Sequence, residues 1–247
     1  MHISRHIAQI SLDGRQPVCT ISGLQSPTRG SYSLYGIDGA GGAIAKVRRR
    51  MGAVVETPAI YTALSARDNL KQQYRVIGLP SFDGIDELPE LVGLSDSGRK
   101  RAGDFSLGMR RRLGIAIALC GNPDFLVLDE PINGLAPQGI VEICELILKL
   151  NRERQITVLI SSHILDELAK LATHYGFIDR GRIVREMSAA ELEAACKKCV
   201  KLTVTDTKKL AATLDEMNLE YRILDGAMPT FSANRISQGL QWRLRSP

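Results

Sequence analysis

The apolar positions of this chain switch between two periods, and the switch is clearest beyond Gly121. "FLVLDEP" (Phe125–Pro131) is an uninterrupted apolar run between Pro123 and Pro131, the pattern of a strand buried on both faces. In "GIVEICELILKLNRER" (139–154), Ile140, Ile143, Leu146, Ile147 and Leu150 recur at helical spacing, which predicts an amphipathic helix. "ITVLISS" (156–162) is a second buried strand. Strand, helix, strand is the βαβ unit of a parallel sheet. "ILDELAKLA" predicts another helix, and "YGFIDRGRIV" a hairpin-like pair of strands around Arg180-Gly181. Upstream, "ARDNLKQQYRVIG" and "GMRRRLGIAIALCG" read as helices, separated by a loop-rich, mostly helical region. After about Ser188 the pattern changes: "VKLTVTD", "TKKLAATLDEMN" and "EYRILDG" predict strand, helix, strand in a small α+β appendage.

Composition narrows the picture. With 247 residues, 44% hydrophobic and 24% charged, the chain suits one globular domain plus an appendage. No window approaches the roughly 18 consecutive apolar residues of a membrane span. The opening "MHISRHIAQISLDGRQ" alternates too finely for a signal peptide, so a soluble, cytoplasmic protein is expected. The net charge of +5 raises nucleic acid or an anionic membrane as partners. However, the basic residues are scattered, with clusters at "VRRR" (47–50), "GRKR" (98–101) and "MRRR" (109–112). The first two read as solvated surface, and no nucleic-acid partner is expected. Cys196 and Cys199 form the C-x-x-C of an odd set of five cysteines. No second pair follows, so a helix end is expected there and no metal site.

Four features carry chemistry, in a fixed order. "FSLGM" (105–109) opens a helix, whose free N–H groups and dipole suit a phosphate. "LVLDEP" ends a buried strand in two adjacent carboxylates, where Asp129 can hold Mg²⁺ through water and Glu130 can polarise an attacking water. The turn "NGLAP" (133–137) follows at once. His163 ends "LISSH", where an imidazole can touch a terminal phosphate. Each alone has a bland reading: a helix cap, a chance Ser-x-Gly, a surface histidine. Chance explains the ordered set poorly.

With these residues in hand, the chain resembles the nucleotide-binding subunit of an ATP-binding cassette (ABC) transporter, in the branch of bacitracin-resistance and lantibiotic-immunity exporters. "FSLGMRRRLGIAIALCGNPDFLVLDEPINGL" resembles that branch's signature-to-Walker-B segment almost throughout. "MGAVVETPAIYTALSARDNL" (51–70) resembles its Q-loop segment, with Glu56 where most cassettes have glutamine, a substitution the branch shares. The resemblance implies an α/β, P-loop NTPase-like cassette with a parallel sheet core and a helical signature subdomain. It covers residues 21–187, leaving an atypical segment 1–20 and a C-terminal extension 188–247. Glu130 and His163 are the implied catalytic residues. Asp129, Glu56, Ser106 and Gly108 are the implied nucleotide and Mg²⁺ contacts. Asn133, Gly134, Leu135 and Ala136 form the implied D-loop, with Ala136 replacing the family's usual aspartate. ATP and Mg²⁺ are the implied cofactors. A polytopic membrane permease and a second cassette subunit are the implied partners, at the inner face of the cell membrane.

One tract mimics the missing member of this set. "YGIDGAGGAIAKVRRR" (35–50) holds Gly36, Gly39, Gly41 and Gly42, yet aligned as G-x-x-x-x-G-K-[ST] it puts Gly42 at the lysine and Ala43 at the hydroxyl. Lys46 falls four residues late, about one helical turn away. The Rossmann pattern read from Gly39 fails at Ile44. Moreover, "ISGLQSPTRGSYSLYG" (21–36) resembles the cassette stretch that follows the Walker A helix, so the glycine run lies too late. "AQISLDG" (8–14) resembles the family's first strand, and too few residues separate Leu12 from Ile21 to hold a glycine loop and helix. Otherwise residues 1–20 are unrelated sequence before a truncated cassette. On either alternative the phosphate loop is missing, which predicts defective ATP binding and an unpaired sheet edge beside "FLVLDEP". A regulatory or interaction protein built on a cassette is the competing expectation.

Overall fold

The computed structural model describes residues 7–11, 15–163, 171–179, 182–195, 199–203, 207–216, 221–224 and 230–234. They form two compact units, Met1–Ala189 and Ala190–Pro247.

The first unit is built on a six-stranded sheet. Its strands are β1 (Ile7–Ser11), β4 (Met51–Val54), β5 (Phe125–Asp129), β6 (Thr157–Ser161), β7 (His174–Asp179) and β8 (Arg182–Ser188), in the order β4-β5-β6-β1-β7-β8. All neighbours are parallel except the β7–β8 hairpin. The continuous apolar runs are explained by this placement: Leu126, Val127, Leu128, Val158 and Ile160 are all buried. The β5–β6 crossover is α6 (Pro137–Glu153), whose Ile143, Leu146, Ile147 and Leu150 face inward as the spacing predicts. Each such side chain is worth about 1.5–3 kcal/mol of burial.

The N-terminal segment differs from expectation. An unpaired edge was predicted beside β5, but β1 is inserted between β6 and β7, with Gln9 opposite both Ile160 and Tyr175. Beside β5 stand β4 and β6, so it too is paired on both sides. The short helix α1 (Arg15–Ser22) follows β1 and packs on β5.

Between these parts lie a two-stranded ribbon, β2 (Ser33–Leu34) with β3 (Ile37–Asp38), and helix α2 (Ile44–Arg48). The glycine run Gly39–Gly42 links β3 to α2, outside the six-stranded sheet. Its amides are used locally: Gly39 N–H donates to Tyr32 O at 2.8 Å and Ala40 N–H to Asp38 Oδ1 at 2.7 Å. Helix α3 (Ala66–Ile77) is capped by Ser65, and α4 (Glu87–Leu91) and α5 (Leu107–Leu119) complete the helical region. The helix expected at "ILDELAKLA" lies mostly outside the described residues.

In the second unit, β9 (Cys199–Thr203), β10 (Tyr221–Leu224) and β11 (Thr230–Asn234) form an antiparallel sheet, β10-β11-β9. The pattern missed β11. Helix α8 (Thr207–Glu216) matches the expected one, and α7 (Ala189–Ala195) follows β8. Cys199 opens β9 rather than ending a helix; Cys196 lies outside the described residues.

Gly52 in edge strand β4 explains how α5 approaches the sheet: a Cβ there would sit 2.1 Å from the Ala118 carbonyl oxygen. Gly52→Ala should therefore cost about 1–3 kcal/mol through forced overpacking. Gly42→Ala, with open space around it, should be neutral; equal melting temperatures for the two variants would refute this packing.

Candidate functional site

The site starts from one buried carboxylate. Asp129 ends β5 with 2% of its surface exposed, and a bare charge at that depth must be satisfied by hydrogen bonds. Register supplies the first donor: Asp129 stands opposite Ser161 across the β5–β6 pair, and the Ser161 hydroxyl donates to Asp129 Oδ1. The second is the Glu56 N–H, which donates to Oδ2 at 3.3 Å from the loop after β4. Removing either donor would cost about 1–3 kcal/mol.

The neighbouring glutamate is held differently. Glu130 takes a left-handed backbone (φ 47°), as does Glu56 (φ 55°), conformations that cost a non-glycine residue about 1–3 kcal/mol. Glu130 N–H donates to Ser161 O at 3.0 Å, which fixes the turn. Its Oε1 meets His163 twice, accepting from the backbone N–H at 3.2 Å and contacting Nδ1 at 2.8 Å. Its Oε2 is buried and has no hydrogen-bond partner. An unpaired buried carboxylate oxygen suits a group awaiting a proton or a water.

The structure thus gathers Glu56, Asp129, Glu130 and His163 into one cluster. Ser106 and Gly108 lie at the start of α5, where Ser106 caps the helix by accepting from Met109 N–H at 3.2 Å. Hydrophobic contact joins this end to the turn after Glu130: a Cβ on Gly134 would lie 3.4 Å from Leu107, and one on Gly108 3.9 Å from Leu135. Asn133 is exposed in that turn, its N–H donating to Glu130 O at 3.2 Å. Ala136 is the N-cap of α6 and offers no side-chain acceptor.

Two site residues escaped sequence reasoning. Ser161 lies within "ITVLISS" and "LISSH" without being singled out, although its place opposite Asp129 follows from the strand register. Arg111, inside the quoted "MRRR", donates from Nη1 to Glu56 O. Burial pulls its guanidinium pKa down, while the Asp129 and Glu130 charges push it back up.

A Mg-nucleotide would meet carboxylates at one end of its site and a phosphate-binding loop at the other. The orphaned Glu130 oxygen and the twice-bonded Asp129 fit the carboxylate half of a Mg-nucleotide site. In sequence, Leu12, Asp13 and Gly14 lie between β1 and α1. A P-loop needs eight residues with a Lys-Ser/Thr pair.

A parallel sheet carrying an acidic pair at one strand's end, a histidine at the next and a capped signature helix defines a nucleotide-binding α/β cassette. Comparison with known proteins agrees. A model of the ABC transporter family matches residues 18–133. The bacitracin transport ATP-binding protein BcrA of Enterococcus faecalis is 36% identical over 207 residues, 83% of this chain and 67% of that one. Its counterpart in Bacillus licheniformis is 40% identical, over 78% of this chain and 63% of that one. The lantibiotic transport ATP-binding protein SrtF of Streptococcus pyogenes is 42% identical, over 67% and 70%. The chain belongs to the ABC transporter ATP-binding proteins, in the bacitracin and lantibiotic branch, and spans about two thirds of these relatives' length. Among solved structures, cbiO1 from Clostridium perfringens superposes with a TM-score of 0.68 at 22% identity, covering 87% of this chain and 86% of that one. The dimeric cassette MJ0796 does so at 0.65 and 21%, covering 76% and 88%.

The uncapped start of α6 gives a direct test. Ala136→Asp restores an acceptor for the first free N–H groups and should stabilise the chain by about 1 kcal/mol. A denaturation midpoint that stays or falls would show that this terminus is satisfied some other way.

Proposed function

We propose that this chain is the ATP-binding subunit of an exporter of peptide antibiotics, lantibiotics or related drugs, of the self-immunity type, and that its own nucleotide site is defective. The observation that carries the reading is a mismatch inside one site: carboxylates, histidine and signature helix are assembled, while β1 reaches α1 through three residues. Bacitracin and lantibiotic transport, the roles of its relatives, support the exporter class. A polytopic permease would supply the membrane path and the substrate pocket. No described helix is long and apolar enough to cross a membrane, so this subunit would work from the cytoplasmic face, docked on that permease.

The second cassette is the partner that gives the defect meaning. Bound ATP with Mg²⁺ would supply a charged, hydrolysable triphosphate at such a site. Ser106, Gly108 and the N-terminal amides of α5 suit the triphosphate of an intact partner. Asp129 is the residue placed to meet Mg²⁺ through water, and Glu130 with His163 to handle the attacking water's proton. Without a phosphate grip on this chain, those last roles lie idle. The working site is then the partner's, completed by this chain's signature.

That asymmetry inverts the usual mutational result, read as ATPase activity of the complex with permease and intact cassette. Glu130→Gln and His163→Ala should change the rate by less than about twofold, whereas Ser106→Arg should lower it by more than about tenfold. Loss in Glu130→Gln equal to that in Ser106→Arg means this chain's own site turns over. If all three changes are silent, the chain is instead a regulatory or interaction protein built on a cassette.

A further inference from the structure

Asn69 lies near the start of α3, and only 1% of its surface is exposed. Asparagine is a poor helix former because its amide competes for backbone groups, and a buried amide must find partners. Both demands are met by the loop that precedes the helix. Asn69 Oδ1 accepts from the Tyr61 N–H at 2.7 Å. Its Nδ2 donates to Tyr61 O at 3.1 Å and to Ser65 O at 2.9 Å. One side chain thus ties both ends of the loop 61–65.

That loop is the template on which the approach to α5 is laid. Leu64 O accepts from the Ala102 N–H and Thr62 O from the Gly103 N–H, both at 2.8 Å. The fit is close, since a Cβ on Gly103 would lie 3.1 Å from Thr62 O. Gly103 O in turn accepts from Arg110 Nη2 of α5 at 2.8 Å. Buried Phe105 then leads directly into Ser106, the N-cap of that helix. Residues 102–105 are therefore held both by the loop and by the helix they introduce.

We infer that Asn69 is a positioning residue for the phosphate-facing start of α5. It fixes the loop 61–65 and, through the carbonyls of Thr62 and Leu64, the segment that presents Ser106 and Gly108. No bond is made or broken; the effect is one of placement. The amides of a helix N-terminus hold an anion only where they point at it, and a misplacement of about 1 Å can cost about 100-fold. This role rests on the reading above, in which the start of α5 completes the site of an intact partner.

ATPase rate against ATP concentration, per assembled complex with permease and intact cassette, separates placement from stability. Asn69→Ala should raise the KM for ATP about tenfold, the worth of roughly one hydrogen bond to a charged group, with kcat within about twofold. Gly103→Ala crowds the same junction from the other side, leaves Asn69 in place and should raise KM likewise. In the double variant the two effects should not multiply, because both act through one junction. A purely structural asparagine would lower the melting temperature and the yield of complex at unchanged KM. Parental KM in Asn69→Ala, or in Gly103→Ala should the first variant not assemble, overturns the positioning role. So do effects that multiply fully in the double variant. With Ser106→Arg still lowering the rate more than about tenfold, either result leaves the proposed function standing. Silence of Ser106→Arg overturns both.

Discussion

Everything at this site depends on satisfying one carboxylate buried at the end of a central strand. Asp129 has almost no contact with water, so its charge is tolerable only with donors on both oxygens. The donors come from opposite directions. Ser161 is delivered by the register of β6, and the Glu56 N–H by the loop after β4. Satisfying Asp129 therefore fixes two neighbours of β5 at once. It also sets the turn that follows, where Glu130 leaves the strand with a left-handed backbone and meets His163.

The same constraint ties the helical region to the sheet. Arg111 reaches Glu56 from α5, and Leu107 and Leu135 bring the start of that helix against the turn after Glu130. A chain of short contacts runs from the signature helix through Glu56 to Asp129. The carboxylate end of the site is thus organised by contacts within this chain. On the other side, β1 is paired along both edges, and the buried Val18 of α1 lies where α1 covers β5. The six-stranded sheet is thus continuous through β1.

Much of this was legible in the sequence, for local reasons. The two buried strands and α6 follow from apolar runs and helical spacing within single windows, and Ser106 at a helix start follows from capping chemistry. The glycine run, whose lysine and hydroxyl positions in a phosphate-loop alignment hold Gly42 and Ala43, lies between β3 and α2, outside the six-stranded sheet. What escaped was non-local. The place of β1 depends on pairing with strands some 150 residues away, which no short window encodes. The Arg111–Glu56 contact depends on the rotation of α5 against a loop 55 residues earlier. Strand β11 is short and isolated in sequence, and its pairing with β9 and β10 alone reveals it.

The central claim is that β1 is a full member of the sheet, joined to α1 by a connection that grips no triphosphate. Amide hydrogen exchange of the full chain, followed by mass spectrometry with and without Mg-ATP, tests both halves at once. Amides of residues 8–11 should exchange as slowly as those of β5 and β6, since each strand is paired on both sides. Residues 11–18 should show the same exchange in saturating Mg-ATP as without it. Fast exchange through β1, or new protection of residues 11–18 on adding Mg-ATP, would contradict the account.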